Sequence, residues 1–252
     1  MAVVLFFVIH WYASLFFQSF FQHRYAAHRI CTMSKGWEKF FFVCCWITQG
    51  SSYISAYAYG ILHRLHHVHT DTMEDPHTPV KSKNPFMLMW HTKLTYGEVW
   101  QEKIEIDDKY KKQLPEWHSF DKFAHHGLSR LVFVAIYSTF WATFATEWWH
   151  WIFLPMTIAI GSFQGAMINY FSHKIGYRNY EVNNTSTNLI PFFDIFFWGE
   201  AYHNNHHKYA GKANHAHRWF EWDPLYFVMT IMDFLGIIKL KKKFNTEKVA
   251  VF

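Results

Sequence analysis

Residues 1–28 read MAVVLFFVIHWYASLFFQSFFQHRYAAH, an apolar run that closes on two histidines. Its first 22 residues contain no Asp, Glu, Lys or Arg. About 20 residues at roughly 1.5 Å rise cross the hydrocarbon core of a bilayer, so the run predicts a membrane helix over about 1–22. A cleaved signal peptide is the rival reading. The stretch lacks a positively charged start, however, and cleavage after Ala26 or Ala27 would remove His23.

The polar end of the run is the first of three histidine clusters. HRYAAH supplies His23 and His28, HRLHH supplies His63, His66 and His67, and HNNHH supplies His203, His206 and His207. The last two share the spacing H-x-x-H-H. On a helix such positions lie toward one side, yet adjacent residues diverge by about 100°, which suits two neighbouring metal ions better than one. Neutral imidazole is also the commonest protein metal ligand. His23 and His28 stand about 140° apart on an α-helix. Either the helix ends between them or each serves a different metal, and the second reading is preferred. The other histidines carry less. His10, His91, His118 and His150 read as ordinary surface or core residues. The pairs His125/His126 and His215/His217 lack a third partner.

Working outward, the chain has 252 residues with no internal linker, and it reads as one domain over 1–252. Aromatics reach 21%, a wealth that the mean hydropathy of −0.11 hides because 19 His and 24 Lys+Arg offset the apolar runs. The net charge of +5 suits a cytoplasmic face set against anionic lipid. No basic repeat or nucleic-acid motif appears, which argues against nucleic acid as a partner. Cys31, Cys44 and Cys45 lack C-x-x-C spacing and read as buried, reduced thiols.

Residues 131–172 are long enough for two more spans, about 131–147 and 152–172. The turn between them holds Glu147, Trp148, Trp149, His150, Trp151 and Pro155. Arg130 and Lys174 flank the hairpin, so its open ends are expected in the cytoplasm. The apolar stretch 37–60 lies between the first two histidine clusters, and a single crossing would put them on opposite faces. It is therefore expected to form an interfacial or re-entrant helix that does not cross. Residues 61–130 and 173–252 complete a cytoplasmic helical cap. Within it, 223–238 reads as an amphipathic helix on the membrane, and Lys239, Lys241, Lys242 and Lys243 as a lipid-surface anchor. The expected fold is an all-α integral membrane bundle of about three spanning helices, with a cytoplasmic cap holding a His-rich di-metal site.

HRYAAHR at 23–29, HRLHHVHTDTMEDPH at 63–77, NYFSH at 169–173 and GEAYHNNHH at 199–207 resemble, in order and spacing, the boxes of the integral-membrane fatty acid desaturases. The acyl-CoA branch (stearoyl-CoA type, delta-9) is the most similar. The resemblance covers about residues 5–236. It implies two iron ions held by His23, His28, His63, His66, His67, His173, His203, His206 and His207, with Asn169 acting through a water. No catalytic residue beyond these ligands is implied, and the substrate-binding residues stay unassigned. Zinc can replace iron in a purified sample. Asp75 and Glu200, beside the second and third boxes, are candidates for orienting ligand imidazoles, with surface or capping acids as the alternative.

The implied activity is that of an oxidoreductase. It introduces a cis double bond into a long-chain acyl substrate, an acyl-CoA near carbon 9, using O2 and two electrons. No His-Pro-Gly-Gly haem motif is present, so the electrons are expected from a separate ferredoxin, cytochrome b5 or reductase. Animal members carry a further membrane helix and a polar extension before the first box, where 22 residues precede His23 here. That departure puts head-group recognition in question. A lipid hydroxylase or ketolase with similar boxes is the enzymatic alternative. A membrane metal-binding or transport protein is the non-enzymatic one, but it calls for ionisable residues along the spans, and these spans are nearly free of charge.

Overall fold

The computed structural model describes residues 1–189 and 193–241; Lys242 and Lys243 of the expected anchor lie outside them. Helix α1 runs Ala2–Ala27, five residues beyond the expected end. It is α-helical through Phe17 and π-helical from Gln18 to Ala27. A π-turn pairs residues i and i+5, and the His28 N–H donates to the His23 carbonyl at 3.1 Å.

The expected helix over 37–60 is two helices. Helix α2 (Lys35–Gln49) starts at Ser34, whose hydroxyl accepts from the Trp37 N–H at 3.4 Å. It runs back along α1, with Glu38 on the Tyr25 hydroxyl, Phe42 5.0 Å from Phe21 and the Cys45 thiol on the Phe17 carbonyl at 3.7 Å. Its 15 residues reach only about 22 Å, short of a bilayer core of about 30 Å. The chain reverses at Gly50, where φ is +53° and a Cβ would overlap the Tyr137 hydroxyl. Ser55 then caps helix α3 (Ala56–His69), its hydroxyl accepting from the Tyr57 N–H at 3.1 Å. Going in and returning keeps the first two histidine clusters on one side.

Helices α4 (Pro85–Trp100) and α5 (His118–His125) belong to the cap. Helix α6 (Gly127–Phe144) begins four residues before the expected 131, because the His126 ring accepts from the Leu128 N–H at 3.2 Å and caps it. Arg130 donates to the carbonyls of Ser51 at 2.6 Å and Tyr53 at 2.7 Å, pinning the reversal after α2. Leu128, Leu131, Val132 and Ile136 leave an exposed apolar face on α6.

The third apolar segment is bent. Helices α7 (Trp148–Ile158) and α8 (Ile160–Phe171) meet at 81°. The hydroxyls of Ser51 and Ser52 donate to the Ile158 carbonyl at 2.7 and 2.9 Å, satisfying a group that the break frees. Among the described residues α1 and α6 are each long and apolar enough to cross a membrane, and the bent pair makes a third if it counts as one span. The protein is an all-α membrane bundle with a cap.

Helix α9 (His203–Lys208) carries the third cluster. Helix α10 (Pro224–Phe234) is the amphipathic element expected at 223–238. It buries Leu225, Met229 and Met232 and exposes Phe227, Ile231 and Phe234. A two-residue antiparallel pair, β1 (Cys31–Thr32) with β2 (Lys239–Leu240), ties the chain after α10 to the end of α1.

Candidate metal centre

The π-helical end of α1, the C-terminal half of α3, the end of the α8 segment and the whole of α9 converge on one place. Their nine expected histidines form two groups. In the first, His23 Nε2 lies 3.1 Å from His206 Nε2, and His28 Nε2 lies 2.8 Å from His63 Nε2. His67 Nε2 completes it at 3.0 Å from His63 and 2.8 Å from His206. In the second, His207 Nε2 stands 3.2 Å from His66 and 3.0 Å from His203, which lies 3.1 Å from His173. Adjacent histidines thus part between groups: His66 from His67, and His206 from His207. His23 and His28 do not. Both rings point into the first group, because the π-helix brings residues five apart onto one side, whereas the expected division between two metals assumed an α-helix.

The donor set fits two cations. Every close contact between the nine rings is made by Nε2, the atom each ring would offer to a cation placed between them. Imidazole nitrogens at about 2.1 Å from one ion stand about 3.0 Å apart at right angles, which is the spacing found here. Burial, followed by the charge of neighbouring rings or of Arg64, holds His28, His63, His67, His203, His206 and His207 well below the usual histidine value. They therefore stay neutral, the form that binds metal.

Three of the Nδ1 atoms, those of His23, His66 and His173, face oxygen atoms that can hold the ring proton away from Nε2. His66 Nδ1–H donates to Asp75 at 2.9 Å and His23 Nδ1 lies 2.7 Å from Glu200 Oε2, so both expected acids touch a cluster histidine. Other partners were not found from sequence. His173 Nδ1 faces Thr185 Oγ1 at 3.2 Å and Asp71 at 3.4 Å, and Thr185 donates to Asp71 at 2.9 Å. Asn184 stands 3.5 Å from His207 Nδ1.

Two arginines inside the histidine boxes hold the frame. Arg24 is fully buried, paired with Asp223 at 2.9 Å and donating to the Ala213 carbonyl at 2.6 Å. Arg64 donates to the carbonyls of Ala26, Ala27, Tyr110 and Lys112 at 2.8–3.2 Å, fastening α3 to the end of α1. The loop before α9 is shaped by Asp194, which accepts from the N–H groups of Gly199 at 2.6 Å and Ala201 at 2.9 Å.

Asn169 lines a cavity of about 30 Å³ beside the centre. His23 and His63 of the first group and His203 of the second share that cavity with Leu15, Gln18, Ser19, Tyr59 and Ile168. His77, from the Asp-Pro-His that follows the second box, lies 4.2 Å from the His66 ring. His215, set aside on sequence grounds, lies 4.7 Å from the His206 ring and 3.2 Å from Arg24. His125 stacks on Trp100 at 4.2 Å, far from this chemistry, and His10 packs on Tyr137 at 5.2 Å.

Comparison with known proteins places this arrangement. The sequence model of the fatty acid desaturase family matches residues 1–222. The chain is 28% identical over 222 residues to the sn-1 stearoyl-lipid 9-desaturase of Synechocystis sp., covering 86% of this chain and 64% of that protein. It is 26% identical over 239 residues to Delta-9 acyl-lipid desaturase 1 of Arabidopsis thaliana, covering 91% and 72%. It is 25% identical over 234 residues to the acyl-CoA C20 Delta5-desaturase of Anemone leveillei, covering 90% and 70%.

Proposed function

Because the chain belongs to the fatty acid desaturase family, we propose that it is a di-iron desaturase acting on a long-chain acyl substrate. In this reading it introduces a cis double bond near carbon 9 with O2 and two electrons from a separate donor. The observation that carries the reading is the pair of Nε2 groups, five and four histidines strong, held side by side with their Nε2 atoms turned toward one another. His23, His28, His63, His67 and His206 hold one iron. His66, His173, His203 and His207 hold the other, with Asn169 acting through a water. Iron there supplies the redox chemistry that a redox-inert zinc ion lacks.

The protein's own groups do the rest. Glu200 and Asp75 retain the Nδ1 protons and keep each Nε2 available. The reacting part of the chain would approach the centre through the small cavity beside it, where Leu15, Tyr59 and Ile168 offer apolar walls. Arg130, which pins the turn before α3, and Lys174, just past His173, support a cytoplasmic position for the centre.

The acyl carrier has two readings. The box pattern resembles the acyl-CoA branch, while two of the relatives are named for lipid-bound chains. The test is the fatty-acid profile of cells expressing the chain, with double bonds located by mass spectrometry and His203→Ala run alongside. A new cis-monounsaturated acid that vanishes in the variant is expected. Purified protein fed acyl-CoA or phospholipid then separates the carriers. A hydroxy or keto product, or none from iron-loaded protein given a competent donor, overturns the proposal.

A further inference from the structure

We propose that electrons enter through the edge formed by His67 and His207, and that the basic face around it docks an acidic one-electron carrier protein. The inference rests on the desaturase reading. Seven of the nine cluster histidines are buried: His23, His28, His63, His66, His173, His203 and His206. His67 and His207 are half-buried. Each belongs to a different group, and their rings stack at 4.5 Å and 28°. Each group therefore has one histidine that is only half-buried, and the rings of these two stack on each other. A carrier seated there would lie one ring from either centre.

The surroundings select the carrier's charge. Lys208 follows His207 and is exposed. Asn184, beside His207, accepts the Arg178 guanidinium on its carbonyl at 2.9 Å. Tyr209 carries the Lys212 ammonium 4.0 Å above its ring, and Arg218 joins the same face through Asn179 at 3.0 Å. Against these four cations, segments 174–188 and 203–221 expose one acid, Glu181; the other acid there, Glu221, is buried. On the loop after α3, exposed Glu74 and half-buried Asp71 add two acids on the His67 side. The excess of positive charge steers an acidic partner and speeds its encounter at low salt.

The stoichiometry calls for two electrons from outside the substrate. Each turnover converts –CH2–CH2– and O2, with two protons and two electrons, into –CH=CH– and two waters. The carrier is oxidised twice, once per electron, and solvent supplies the protons.

The test uses the full iron-loaded chain in nanodiscs, with a reduced plant-type [2Fe–2S] ferredoxin as the acidic donor and dithionite as a small-molecule control. Readouts are the rate of metal-centre reduction and the KM for ferredoxin at several salt concentrations. For Lys208→Glu combined with Arg178→Glu, the ferredoxin KM should rise about tenfold or more, and the salt dependence of the wild type should shrink. Metal content and the dithionite-driven reduction rate should match wild type. An unchanged ferredoxin KM overturns the inference, as does wild-type reduction by ferredoxin that ignores salt or fails while dithionite succeeds. Protein that forms no olefin even with dithionite overturns the desaturase reading instead.

Discussion

Replacing Asp75 with Asn should loosen one metal and leave the other. Asp75 is 1% exposed. Its Oδ2 accepts from His66 Nδ1 and the Asp71 N–H, both at 2.9 Å, and its Oδ1 accepts from the same ring nitrogen and the His77 N–H, both at 3.0 Å. Asn keeps one of the two oxygens, and its NH2 must face a backbone N–H that had an acceptor. Leaving that buried donor unpaired costs about 1–3 kcal/mol. The new amide also donates to His66 Nδ1, which moves the ring proton to Nε2, the atom 3.2 Å from His207. Loss of an outer partner of this kind lowers metal affinity about 10–100-fold, or about 1.4–2.7 kcal/mol. The first group is untouched, since Glu200 orients its His23. Iron per chain, followed against a rising chelator concentration, checks this. The variant should lose one iron at about a tenth to a hundredth of the wild-type chelator concentration and the second at the wild-type value. Release of both irons at wild-type concentrations would refute the orienting role of Asp75.

Glu200→Gln should show the mirror pattern, with the weakened site now the one containing His23; equal loosening of both irons would break the assignment of the two groups. Gly50→Ala puts a Cβ at φ +53° and against the Tyr137 hydroxyl, a strain of about 1–3 kcal/mol before the overlap is counted. Thermal unfolding in detergent should therefore shift down, and adding Tyr137→Phe should recover the part due to the hydroxyl; no shift in the single variant contradicts the reversal described at Gly50. Burial pushes the Cys31 thiol up to about 12 and holds the Cys45 thiol well above the usual thiol value. Maleimide at pH 8 should thus label half-buried Cys44 first, and reach Cys31 and Cys45 only after unfolding. Free-thiol rates at Cys31, read by mass spectrometry, would contradict its burial.

Much of this was legible because it is local. The charge-free run at 1–22 announces a membrane helix, and H-x-x-H-H announces two neighbouring sites through the angle between adjacent residues. Asp75 and Glu200 could be named because they sit a few residues from a box. Thr185 and Asn184 could not, and Asp71, though near the second box, acts on the distant His173; these roles come from packing between segments about 114 and 23 residues apart. Arg24 and Arg64 were overlooked inside the boxes, although their buried carbonyl partners make them as structural as the histidines are chemical. The break at Ala159 leaves no Pro or Gly at the residue itself, and its compensation by Ser51 and Ser52 comes from another helix.

The first box shows where period-based reading fails and how it could succeed. A step of five places side chains about 140° apart at α-helical pitch, and that angle suggested separate metals. The same step is the hydrogen-bonding period of a π-helix, and here the His28 N–H bonds the His23 carbonyl while both rings enter one group. The pitch is therefore chosen by the site as much as the site by the pitch: ten residues, Gln18–Ala27, keep the wider turn up to the last residue before His28. A pair of like ligands five apart at the polar end of a membrane helix is then evidence for a π-turn, in the way that a pair four apart is evidence for an α-turn. Inserting one alanine between Ala26 and Ala27 puts this to work. It should swing His28 out of the first group and lower the affinity of that site, while the iron held by His66, His173, His203 and His207 stays in place.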